Sequence, residues 1–262
     1  MSLSAQVAAH LPYLRRYARA LTGSQAAGDA YVRATLEAAL ADSDLRQTLE
    51  GGRVALYRAF NDVWSSAYLD IDPEKSNDSD VSTAGAKLGS VTPLNRQALL
   101  LTTLEDFTTV QTAEIMDLSA EAVNSLVEEA IAEIDREAAT SVLIIEDEPL
   151  ISMQLEDLVT SLGHEICGTA ATRTQAREVV TEKTPGLVLA DIQLADGSSG
   201  IDAVEDILAI SSVPVIFITA YPERLLTGDR PEPTYLITKP FEERTVRAAI
   251  SQALFFGHSN EI

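Results

Sequence analysis

Apolar positions recur every three or four residues from about residue 5 to residue 69, as in Leu11, Leu14, Ala18 and Leu21, then Tyr31, Thr35, Leu36 and Leu40. This spacing predicts helices throughout, punctuated by Gly23 and Gly51-Gly52. From 70 to 92 the pattern dissolves into Asp, Ser, Asn and Gly, a composition that buries too little apolar surface to offset ordering entropy and so predicts a linker. A second helical block covers 93–137: Pro93 suits a first turn, and Ser119 precedes Val123, Leu126, Val127, Ala130, Ile131 and Ile134 at helical spacing.

Near Ala138 the pattern changes. Short apolar runs, Val142 to Ile145, Ile166 to Thr169, Leu187 to Ala190, Val213 to Thr219 and Tyr235 to Thr238, alternate with amphipathic stretches at Leu150 to Leu162, Thr174 to Glu182, Ile201 to Ile210 and Glu243 to Leu254. Strands alternating with helices predict an α/β doubly wound parallel sheet over 141–256. Pro and Gly between Pro222 and Pro233 obscure the fourth helix of that scheme. The domain plan is therefore 1–69 helical, 70–92 linker, 93–137 helical and 141–256 α/β.

Charge narrows the partners. With 19 Lys+Arg against 40 Asp+Glu, the formal net charge is −21, which works against broad contact with phosphate backbones or anionic lipid. Cationic or helical protein partners are favoured. The single cysteine, Cys167, cannot form an internal disulfide, the first residues lack a basic region followed by an apolar core, and no apolar run approaches the ~18 residues of a membrane span. A cytoplasmic location without membrane contact is expected.

In a doubly wound sheet, ligands gather beyond the carboxyl ends of the strands. Glu146 and Asp147 follow the first strand, Asp191 ends the third, Thr219 ends the fourth and Lys239 follows the fifth. Crowded carboxylates repel unless a hard cation sits among them, and an incomplete oxygen cage suits Mg2+. Asp191 is then placed to act as nucleophile toward a phosphoryl group. Thr219 can donate its hydroxyl to one phosphoryl oxygen while Lys239 pairs with another. Pro240 is compatible with a cis peptide after Lys239.

Through Ile145-Glu146-Asp147-Glu148-Pro149, Leu189-Ala190-Asp191-Ile192, Ile218-Thr219-Ala220 and Thr238-Lys239-Pro240-Phe241, the segment 141–254 resembles the receiver domain of bacterial two-component response regulators. The resemblance implies strand order 2-1-3-4-5, phosphorylation of Asp191 by a sensor histidine kinase or phosphotransferase, and a Mg2+ site from Glu146, Asp147, Asp191 and the backbone carbonyl of Gln193. It implies a phosphoacceptor protein rather than an enzyme. Receivers commonly carry a switching aromatic three residues before the lysine; here that position is Leu236, and Tyr235, one earlier, is the nearest candidate.

The helical half carries its own resemblance. Leu11 to Gly23 resembles the start of the promoter-melting domain of extracytoplasmic-function sigma factors, and residues 94–137, with Ala113-Glu114-Ile115-Met116 and Ser119 to Leu126, resemble their promoter-recognition helix-turn-helix. A recognition helix needs Arg or Lys near phosphates and base edges. Residues 93–137 hold ten acidic residues against two basic ones, and Glu128, Glu129 and Glu133 lie in the helix that would enter the groove, so no direct DNA binding is expected. Arg15, Arg16, Arg19, Arg33, Arg46, Arg53 and Arg58 read either as surface residues or as a partner-binding set. Trp64, near Tyr57, Phe60 and Tyr68, reads as core. His10, His164 and His258 lack metal-ligand spacing, and Gly197 and Gly200 lack the pattern of a phosphate-cradling loop.

Sigma-like domains first and receiver last resembles the PhyR-type regulators of the alphaproteobacterial general stress response. That resemblance implies an anti-anti-sigma factor: Asp191 phosphorylation releases the sigma-like domains to sequester a NepR-like anti-sigma factor and free a sigma factor. A DNA-binding response regulator and a phosphate-sink receiver are the alternative readings.

Overall fold

A computed structural model describes residues 3–69, 93–134, 139–194, 196–222, 225 and 233–259. The expected linker at 70–92 and most of the expected helix between Pro222 and Pro233 lie outside the described residues. The chain forms two compact units, Met1–Ala130 and Ile131–Ile262. None of the described helices is long and apolar enough to cross a membrane.

The first unit is helical: α1 (Leu3–Thr22), α2 (Gln25–Ala41), α3 (Ser43–Thr48), α4 (Arg53–Leu69), α5 (Leu94–Thr103), α6 (Thr109–Met116) and all but the last turn of α7 (Ala120–Ile134). Short polar side chains set the helix starts by accepting otherwise unpaired backbone N–H groups. Ser24 accepts from Ala27, Asp42 from Asp44 and Leu45, and Ser119 from Ala122. Thr108 and Gln111 form a reciprocal capping box at α6, which ends on the left-handed residue Asp117 before the turn into α7. That α6–turn–α7 arrangement is the expected helix-turn-helix.

Its core gathers Leu14, Tyr17, Leu21, Leu56, Tyr57, Phe60, Leu100, Leu101, Phe107 and Ile115. Trp64 is a core residue, its ring 4.8 Å from that of Tyr31. Helices α1 and α2 approach closely at Gly28, where a Cβ would lie 2.7 Å from the backbone nitrogen of Arg19.

The arginines divide sharply. Arg33 and Arg46 are exposed, whereas Arg16 and Arg19 are buried. Arg19 and Arg15 both pair with Asp29 on α2, at 2.9 and 3.0 Å. Burial alone would raise the Asp29 carboxyl, but the hydrogen bonds from Arg15 and Arg19 and their charges outweigh it and hold it below the usual carboxylate range. A depressed carboxyl contributes stability that is complete above its unfolded pKa and disappears as pH falls through the folded one. Asp29→Asn is accordingly expected to cost about 2 kcal/mol at neutral pH, reduced by the site's partial exposure, with the difference from wild type closing below about pH 4 in urea denaturation.

The second unit contains β1 (Ser141–Ile145), α8 (Pro149–Ser161), β2 (Glu165–Ala170), α9 (Arg173–Glu182), β3 (Leu187–Ala190), α10 (Gly200–Leu208), β4 (Val215–Thr219), β5 (Tyr235–Thr238) and α11 (Glu243–Ser259). The strands form one sheet in the order β2-β1-β3-β4-β5, every neighbouring pair parallel. The expected fold is the observed one. The fourth strand starts two residues later than the apolar run suggested, because Pro214 lacks the N–H a ladder requires and offers only its carbonyl, to Val188, at 3.0 Å. One face of the sheet packs on α9 and α10 through Leu143, Ile145, Val188, Ala190, Leu236, Ala176, Val180, Ala203 and Ile207.

Candidate functional site

Parallel register brings the strand ends together: Ile145 lies opposite Ala190, Ala190 opposite Phe217, and Thr219 opposite Thr238. The residues immediately beyond therefore converge. Glu146 is tied to the end of β2 by its N–H to Ala170, Asp191 to the end of β1 by its N–H to Ile145, and Lys239 to the end of β4 by its N–H to Thr219.

The Lys239 ammonium lies 2.7 Å from Glu146 Oε2 and 2.7 Å from Asp191 Oδ2, with Glu148 Oε1 at 3.7 Å. Asp191 Oδ1 accepts the N–H of Ile192 at 2.6 Å and of Gln193 at 3.3 Å, so one carboxylate oxygen is fixed by backbone and the other by the lysine. Glu146 Oε1 accepts the N–H of Glu148. Glu146, Asp191 and Lys239 are largely buried, whereas Glu148 is exposed.

Burial raises the Glu146 carboxyl above its ordinary value, an effect the lysine only partly offsets and the Asp191 charge reinforces. Burial pulls Lys239 the other way, but its hydrogen bonds to Asp191 and Glu146 prevail and raise it. The ammonium therefore stays protonated across the neutral range. One cation faces three carboxylates, which leaves a local excess of negative charge.

The positions expected from sequence do not all meet. Oxygens of Glu146, Glu148 and Asp191 lie within 4.8 Å of one another, and among the described residues Asp147 joins no such cluster. The expected set named Asp147 and did not include Glu148, which the acidic cluster adds. Side chains two apart along an extended segment share a side, and Glu148, with φ −81° and ψ 110°, still has extended backbone before α8 begins. Glu148 was visible in the acidic run after β1, but only the backbone path shows that its exposed carboxylate comes near Glu146 and Asp191.

Thr219 is fully buried at the end of β4, and its Oγ1 accepts the Tyr221 N–H at 3.2 Å. The Lys239–Pro240 peptide is cis. Tyr235 lies at the start of β5, three residues before the strand's last residue Thr238, and its hydroxyl donates to the Gln252 carbonyl on α11 at 3.2 Å. Leu236, its neighbour, belongs to the apolar core on the α9–α10 face. Gln193 sits beside the Asp191 carboxylate and pairs with Ser199 in an isolated bridge.

That bridge leads to Gly200, where an added Cβ would fall 1.7 Å from the Asp191 carbonyl oxygen. Backbone against backbone leaves no flexible side chain to yield. Gly200→Ala is expected to displace the loop carrying Asp191, costing about 1–3 kcal/mol in thermal denaturation and slowing labelling of Asp191 by a phosphodonor.

A second polar centre, which sequence reading missed, lies in the helical unit. Glu105, just past α5, is fully buried and accepts from Arg16 Nη2 at 2.8 Å, Arg53 Nη2 at 2.8 Å and the Tyr57 hydroxyl at 2.7 Å. Arg16 also donates to the Leu104 carbonyl, and Arg53 to that of Glu105 itself. Burial, then the Glu105 charge, pushes the Tyr57 hydroxyl well above its usual pKa. Nothing local marks Glu105 among the acids of its block, because its partners lie 89, 52 and 48 residues away.

Comparison with known proteins agrees with this division. Residues 7–61 match the family model for the sigma2 domain of PhyR, 88–137 that for the PhyR sigma-like domain, and 142–251 that for the response regulator receiver domain. The phyllosphere-induced regulator PhyR of Methylorubrum extorquens is 53% identical over 260 residues, covering 99% of this chain and 97% of the relative. The response regulator PhyR of Brucella abortus superposes with a TM-score of 0.86 at 48% identity, covering 100% of this chain and 97% of that one. The anti-anti-sigma factor PhyR of Bartonella quintana gives 0.84 at 50% identity, covering 99% and 98%. A helical sigma-like unit, a receiver with its acidic pocket and full-length similarity place the chain in the PhyR family of response regulators.

Proposed function

We propose that phosphorylation of Asp191 governs capture of an anti-sigma factor by the sigma-like region, making the chain a phosphorylation-activated anti-anti-sigma factor. The observation that carries this reading is the pairing of a receiver pocket, with Lys239 between Glu146 and Asp191, and a sigma-like unit whose second helix-turn-helix helix exposes Glu121, Glu128, Glu129 and Glu133. The Bartonella quintana relative has been solved complexed with the anti-sigma factor NepR, and a NepR-like protein is the partner proposed here.

An oxygen-only donor set with excess negative charge fits a hard divalent cation. Glu146, Glu148 and Asp191 would hold Mg2+, with Asp147 and the Gln193 carbonyl added by the receiver pattern. When bound, the ion supplies neutralising charge for the transferring phosphoryl oxygens. Asp191 forms the new P–O bond as the P–N bond of a phosphohistidine donor breaks and the imidazole nitrogen leaves with the electron pair. Lys239 then exchanges the Asp191 carboxylate for a phosphoryl oxygen, and the Thr219 hydroxyl donates to another.

The helix-turn-helix supports a protein partner over DNA. Glu121, Glu128, Glu129 and Glu133 are exposed on α7, where a duplex would place phosphates. A basic or amphipathic helix is the complementary ligand.

Calorimetric titration of a purified NepR-like protein tests the reading. Acetyl phosphate with Mg2+ is expected to tighten binding by at least about tenfold, equivalent to 1.4 kcal/mol. Chelating the metal before adding the phosphodonor is expected to return affinity to its basal value. Equal affinities with and without phosphodonor would refute the proposal.

A further inference from the structure

The seam where α1 and α4 meet the α5–α6 turn is more polar than a permanent core. Glu105 is buried there with the guanidinium groups of Arg16 and Arg53, and Arg53 also stacks 4.2 Å over Phe107. The Tyr17 hydroxyl on α1, Asn61 Oδ1 on α4 and Thr112 Oγ1 on α6 are buried without a protein hydrogen-bond partner. Helices α4 and α6 pack directly on each other, and the Tyr17 ring lies 5.5 Å from that of Tyr57. Among the described residues of the receiver unit no such orphan occurs.

Buried polar atoms without partners oppose folding, and a buried ion pair is on average no better than well-packed apolar side chains. An interface that parts recovers those hydrogen bonds with water or with a ligand, and interfaces between separable domains are polar for that reason. Arg53 is the member within solvent reach, its side chain 32% exposed against 0% for Glu105.

We infer that this seam is a latch. Residues 3–69 and the α5–α6 region part when the anti-sigma factor binds, and the Glu105 network holds them closed until then. Parting offers the ligand the Tyr57 and Phe107 faces with Arg16 and Arg53 beside them, a surface for an amphipathic helix bearing a carboxylate. This inference rests on the anti-sigma reading of the chain.

Two full-length variants test it. Arg53→Gln leaves Arg16 and Tyr57 on Glu105, and Glu105→Gln keeps the shape while removing the charge. Both are to be checked for folding by the fluorescence of Trp64, the chain's one tryptophan. Without phosphodonor, a latch predicts that each variant binds the NepR-like protein at least about tenfold more tightly than wild type. A purely structural role leaves basal affinity unchanged or weakens it, and either result overturns the latch; should Glu105→Gln fail to fold, Arg53→Gln decides. Wild type with phosphodonor is the control: if it does not bind, the functional reading fails, whereas a responsive wild type with unresponsive variants removes only the latch.

Discussion

Asp191→Asn is expected to abolish the phosphodonor-dependent gain in anti-sigma affinity while leaving the unphosphorylated protein almost unchanged. The amide presents no anionic oxygen to attack phosphorus, so the P–O bond cannot form at that position. Its remaining oxygen still accepts the N–H groups of Ile192 and Gln193, and Lys239 keeps Glu146 at 2.7 Å. The pocket loses one of its carboxylates but not its framework, and stability should move by less than about 1 kcal/mol. Moving a switch from 1:99 to 99:1 requires roughly 5.5 kcal/mol of differential stabilisation, so even partial loss of phosphorylation should show in a titration. Phosphate-affinity electrophoresis of the variant after acetyl phosphate treatment should show no shifted band. A variant that still shifts, and still gains affinity, would mean that another residue receives the phosphoryl group.

Glu105→Ala should have the largest effect on stability. It removes the acceptor shared by Arg16, Arg53 and Tyr57 and leaves Arg16 buried with the Leu104 carbonyl as its surviving partner in this network. Breaking one side of a buried charged network costs about 3–5 kcal/mol, because the remaining charge is desolvated without compensation. For a unit of this size that corresponds to a fall in Tm on the order of 10 °C. Trp64 lies in the same helical unit, so its emission follows that unit rather than the receiver. A change below about 0.5 kcal/mol would show that the network contributes nothing beyond an exposed surface pair.

The contrast between these two sites explains what could be read from the sequence. Glu146, Asp191, Thr219 and Lys239 each follow or end an apolar strand, and the parallel topology brings such positions to one edge regardless of the distances between them in the chain. Pattern therefore suffices to find them. Glu148 follows Asp147 directly, and its place in the acidic cluster depends on the backbone path into α8, which sequence pattern does not reveal. The start of β4 was displaced by one proline. Arg16 and Glu105 carry no positional signal: each sits in a helical block like many other charged residues, and only tertiary packing joins them. The arginines that balanced the first domain's acids are thus partly internal, with Arg16 and Arg19 serving packing while Arg33 and Arg46 face solvent. Tyr235 shows the same limit, since its hydroxyl is committed to the Gln252 carbonyl, a partner that strand pattern does not reveal.

The electrostatic reading connects fold to function more directly than any single residue. A sigma-like helix-turn-helix normally approaches a polyanion, and here the exposed acids of α7 would meet phosphate with like charge. The same acids favour a basic protein ligand, so the fold is kept and the class of partner changes.

The most direct measurement is displacement. A preformed complex of sigma factor and NepR-like anti-sigma factor, with fluorescently labelled sigma factor, is titrated with the full-length protein in Mg2+, with and without acetyl phosphate. The account predicts stoichiometric release of sigma factor only with the phosphodonor and no binding of the protein itself to promoter duplex. Sigma factor that stays bound throughout, or promoter DNA retained by the purified protein, would contradict it.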